Sequence, residues 1–95
     1  MVRWQSQLDD VRRAIERLRD ACAADGDSRR RSTAAWLEEL FVDVADADAL
    51  RQGAREASLL YVGGMGSFQD VGSARVAAEV DALRLALRAA TRARA

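Results

Sequence analysis

The sequence predicts an all-α fold, a small antiparallel bundle of about four helices, and three observations predict it. The chain has no proline and is rich in alanine, leucine, arginine and glutamate, the residues that enter a helix at least cost. Apolar residues recur at steps of three and four in several separate stretches. Aromatic and β-branched residues never gather into an alternating run, so strands have no signal. At 95 residues the chain is expected to be a single helical domain, residues 1–95.

The first helix is predicted over about residues 4–24. Trp4, Leu8, Val11, Ile15, Leu18 and Cys22 follow at steps of four and three and share one face, while Asp9, Arg12, Arg13, Glu16, Arg19 and Asp20 take the remainder. Ser6 with Asp9 has the spacing of a capping box, which places the start within residues 3–7. Asp25-Gly26-Asp27 is a terminator. Residues 25–32 then read as a polar connection holding Arg29, Arg30 and Arg31; no aromatic residues interleave with them, so a solvated loop is expected rather than a nucleic-acid contact.

The second helix is predicted from Ser32 to Val44, capped by Ser32 or Thr33, with Trp36, Leu37, Leu40, Phe41 and Val44 as its apolar face. Trp36, if buried there, would cost about 3–5 kcal/mol to truncate to alanine. Asp46 or Asp48 caps or begins a third helix over about 47–62, whose lighter face is Leu50, Ala54, Ala57, Leu60 and Tyr61 with Gly53 beside them. The fourth helix spans about 73–93, with Val76, Val80, Leu83, Leu87 and Ala90 at steps of four and three. Arg84, Arg88, Arg92 and Arg94 lie toward its end, where positive charge complements the helix dipole.

Charge and chemistry exclude more than they assign. Fifteen basic residues, all arginine, balance fifteen carboxylates, so no net field draws the chain to nucleic acid or an anionic membrane. An all-arginine basic set fits a GC-rich genome; it also suits interface pairing, where the guanidinium fork outperforms an ammonium. Cys22 is the only cysteine, which fits a reducing cytoplasm and places it as a small core hydrophobe. No signal peptide or long apolar run is present, so export and membrane spanning are not expected.

Histidine is absent, which removes the commonest general base and metal ligand, and no nucleophile elbow accompanies any serine. Glu38, Glu39 and Asp43, or Asp43, Asp46 and Asp48, could collect a hard cation. EF-hand spacing fails, however, and a Glu-x-x-His pair cannot be made. No catalytic residue, metal or cofactor is expected.

One segment breaks the helical pattern: Gly63-Gly64-Met65-Gly66-Ser67-Phe68-Gln69-Asp70, a glycine-rich loop before the last helix. Three readings stay open. Gly63 and Gly64 could end the third helix while Met65 and Phe68 cover the bundle and Ser67 with Asp70 caps the next helical turn. Consecutive backbone N–H groups could form an anion nest, though neither the phosphate-loop nor the dinucleotide pattern is present. Or Met65 and Phe68 could be exposed anchors for a partner.

The run from Leu59 through Asp70 also resembles a family of small, uncharacterised bacterial helical domains. Its members carry a Gly-Gly-Met-Gly-Ser-Phe/Leu-Asn-Asp segment after a helix. The likeness is good over residues 59–70 and loose over 8–85, where the stretch from Trp36 to Phe41 is similar too. This chain departs from the pattern at Gln69, where asparagine is usual, and at Val71-Gly72, where leucine and valine tend to occur. Genes of that family often lie near polymorphic or contact-dependent toxin loci, so the resemblance implies an immunity-type role.

The residues support a protein partner independently. Between Thr33 and Leu50 the only charged side chains are acids: Glu38, Glu39, Asp43, Asp46 and Asp48. They could face a basic cleft and speed association with it. Together with Met65, Ser67, Phe68 and Asp70 they are the candidate partner-binding residues. The alternative is a self-associating structural or regulatory module, a homodimer packing through the face of residues 4–22 or the small-residue face of 50–61.

Overall fold

The periodic stripe of the first segment builds the longest helix. In the computed structural model, which describes residues 3–61 and 73–94, α1 runs Arg3–Asp25 with Leu8, Val11, Ile15, Leu18 and Cys22 buried and Trp4 half-buried. The helix is already formed at Arg3, so Ser6 and Asp9 lie within it and do not cap it. Its end is set by Gly26, which takes φ +68°, a left-handed conformation that side chains disfavour. The Asp27 amide donates to Cys22 O at 2.8 Å and the Gly26 amide to Ala23 O at 3.4 Å, the paired bonds of a Schellman stop.

The second helix starts four residues earlier than expected. α2 spans Ser28–Leu40, and the arginine run belongs to its first turns instead of a loop. Asp27 is the reason. One carboxylate oxygen accepts from the Arg30 amide at 3.1 Å, and the other from the Arg30 guanidinium at 2.9 Å. A single side chain thus caps the helix and neutralises a cation that the helix N-terminus would otherwise repel. The earlier start extends the buried stripe backward, to Arg30 and Ala34 ahead of Leu37 and Phe41. Trp36, one residue away from that stripe, is turned outward and is 41% exposed, contrary to its predicted place in the core. α2 also stops short of Val44, which lies in the turn beyond it and is half-buried against the core with Leu40.

Asp46 caps α3 (Ala47–Ser58) by accepting from the Ala49 amide at 2.7 Å, and a 3-10 turn, Leu59–Tyr61, continues the chain. α4 (Ala74–Ala90) starts at Ser73, whose hydroxyl accepts from the Val76 amide at 3.1 Å. Val76, Val80, Leu83, Leu87 and Ala90 are buried, as are Leu50, Gly53, Ala54 and Ala57 of α3. Val62 and the glycine-rich run, with the predicted Ser67–Asp70 cap, lie outside the described residues.

Long-range polar contacts fix the antiparallel order. Arg19 meets Glu38 while Arg12 meets the Phe41 carbonyl, so α1 and α2 run oppositely. Gln7 donates to Ala89 O, and Ser73 bonds Asp25 at the other end of the α1–α4 pair. Arg51 reaches Ala93 O while Tyr61 donates to Val80 O, which sets α3 against α4. α1 is the shared element: α2 and α4 both pack along it, and α3 closes the bundle chiefly against α4. The described residues form four α-helices and no strand, an all-α bundle. No helix among them is long and apolar enough to cross a membrane.

Candidate functional site

The five acids of the 38–48 stretch divide into two groups. Three are engaged locally. Glu38 accepts both its bonds from the Arg19 guanidinium, at 2.7 and 2.9 Å, and that hydrogen bond followed by the Coulombic attraction raises the Arg19 pKa. Asp46 is the α3 cap, and Asp48 pairs with Arg51 one turn along the same helix. Glu39 and Asp43 are exposed, with Glu39 on the outer side of α2 and Asp43 in the turn after it.

Near these two in the chain are two exposed apolar side chains that the sequence did not single out as a surface. Trp36 precedes Glu39 by three residues, so both lie on one side of α2, and Val42, next to Asp43, is 62% exposed. The turn that displays Val42 and Asp43 is held from α1: the Arg12 guanidinium donates to Phe41 O at 2.8 Å and to Val42 O at 3.4 Å. The Phe41 carbonyl, at the C-cap of α2, is among the acceptors that a helix end leaves without an intrahelical partner. The outer side of α2 and its turn thus expose an indole, a valine and two carboxylates, with the turn held from α1. A signal for it was present in the spacing: residues 30, 34, 37 and 41 follow at steps of four, three and four and lie inward, and Trp36 and Glu39 lie off that stripe.

Among the described residues no three of His, Cys, Asp or Glu gather as a metal site, so the carboxylate sets 38–39–43 and 43–46–48 do not converge. Cys22 is fully buried, and desolvation raises its thiol pKa away from the reactive thiolate. Tyr61 is likewise raised by burial, with its hydroxyl donated to Val80 O at 2.8 Å. The other predicted contact residues, Met65, Ser67, Phe68 and Asp70, lie outside the described residues. The two faces offered for self-association are used within the chain: the α1 stripe is core, and so are Leu50, Gly53, Ala54 and Ala57.

No protein-family model, curated protein or solved structure matches this chain.

Proposed function

We propose that this chain is a protein-binding module of the immunity type, which blocks a cognate toxin in a bacterial cytoplasm. Its contact surface is the outer side of α2 and the turn after it: Trp36, Glu39, Val42 and Asp43. One observation carries the reading: a 41%-exposed tryptophan and a 62%-exposed valine in a stretch where every charged side chain is acidic. Exposed tryptophan is the residue most often found as an interface anchor, and a carboxylate rim favours encounter with a basic surface. The complementary partner has a basic cleft with an apolar floor, of the kind that binds polyanions. The resemblance of residues 59–70 to immunity-like domains supports the same reading, and Met65, Ser67, Phe68 and Asp70 would add a second contact.

Co-purification with the product of the neighbouring gene, and then calorimetric titration, tests it. Trp36→Ala is expected to weaken binding at least about tenfold, and Glu39→Arg with Asp43→Arg to weaken it and flatten its salt dependence. A neighbour that is no toxin and fails to co-purify overturns the proposal.

A further inference from the structure

α4 is apolar on two sides. Val76, Val80, Leu83, Leu87 and Ala90 face the core. On the far side Ala78, Ala82, Leu85 and Ala89 recur at steps of four, three and four, with Ala82 half-buried and the others exposed. Leu85 is 67% exposed, more than Val42, and lines a surface depression of about 320 Å³ with Asp81, Arg84 and Arg88. This is the spacing of a coiled-coil seam, in which alternate positions interlock with a facing helix. Alanine at three of the four positions lets a second backbone come close.

The charges flanking the seam select both occupant and orientation. When two such helices run antiparallel with Ala82 against Leu85 of a second copy, Ala78 falls opposite Ala89. Asp81, just before Ala82, then falls beside Arg88 of that copy, and the two-fold axis repeats the pair. A parallel pairing sets Leu85 on Leu85 and offers Asp81 and Arg88 only alanines, Ala86 and Ala93. The face is therefore self-complementary in one arrangement, in shape and in charge.

We propose that two copies of this chain pair through the outer face of α4, antiparallel about a two-fold axis, with Leu85 seated against Ala82 and Asp81 paired with Arg88. The surface is separate from the α2 contact, since α2 and α4 each pack chiefly along α1 and the face of Ala78, Ala82, Leu85 and Ala89 includes no residue of α2 or its turn. The two proposals stand or fall independently.

Sedimentation equilibrium of the full chain over a micromolar concentration series is the test. The native chain is expected to reach a dimer. Leu85→Asp should weaken it by about a hundredfold, with the circular dichroism spectrum and urea midpoint nearly unchanged. Asp81→Arg or Arg88→Asp alone should weaken the dimer, and the two together should restore it, because the reversed charges again meet opposites. Should Leu85→Asp fail to fold, the charge variants decide alone. A native chain that stays monomeric overturns the proposal. So does a dimer indifferent to Leu85→Asp, or a double charge variant no better than the singles.

Discussion

Gly53 of α3 is the floor on which the Phe41 ring lies: a Cβ built at Gly53 would stand 3.0 Å from Phe41 Cε1. Phe41 is fully buried, so its ring has little room to withdraw. Gly53→Ala therefore sets two effects against each other, a helix-propensity gain of about 0.5–1 kcal/mol and an overpacking cost of about 1–3 kcal/mol. Overpacking is expected to win by roughly 1 kcal/mol in urea denaturation. In a Phe41→Leu background the crowding disappears, and the same alanine should become neutral or stabilising. A double-mutant cycle with no coupling would refute the contact.

Asp27 makes stability acid-sensitive. Partial burial raises its carboxyl pKa, but the Arg30 amide and guanidinium outweigh that and hold it below the usual range. A carboxyl depressed on folding contributes fully above its unfolded pKa of about 3.9 and loses that contribution as pH falls through the folded value. Asp27→Asn keeps an acceptor for the cap and removes the charge. It should cost about 1 kcal/mol at pH 7 and progressively less below about pH 4, as read by denaturant midpoints against pH.

Arg12 closes α2 from another helix. Arg12→Met keeps most of the stem and removes the donors to Phe41 O and Val42 O. The expected loss is about 1–2 kcal/mol. Hydrogen exchange should quicken in the last turn of α2 more than in α4.

Trp36→Ala should be mild for folding. With two-fifths of the residue in water, the expected loss is about 1–2 kcal/mol, below the 3–5 kcal/mol of a fully buried tryptophan. A urea series showing the larger value would place the indole in the core and remove it as a contact residue.

The sequence was legible where a stripe was uninterrupted. From Leu8 to Cys22 and from Val76 to Ala90 the apolar spacing names the large buried residues, because they recur at helical period between charged positions; it passes over Ala14 and Ala21, which the second neighbour of α1 also buries. It misled at α2, where three successive arginines look like solvated loop. The Asp27 cap, which also pairs with Arg30, lets them enter the helix. The predicted apolar face of α2 otherwise held, with Leu37 and Phe41 buried and Leu40 and Val44 packed on the core; only Trp36, at its edge, lies outward. The acidic stretch was visible as composition, but composition does not show which acids are taken. Glu38, Asp46 and Asp48 have structural work, and only the fold separates them from Glu39 and Asp43.

α1 serves as the common spine, with α2 and α4 packed along it and α3 closing the bundle chiefly against α4. The amides in the middle of α1, covered from both sides, are expected to exchange only when the whole molecule comes apart. The helix that presents the indole is tied into the same core by Ala34, Leu37 and the Phe41 ring, so the surface it offers is a rigid one.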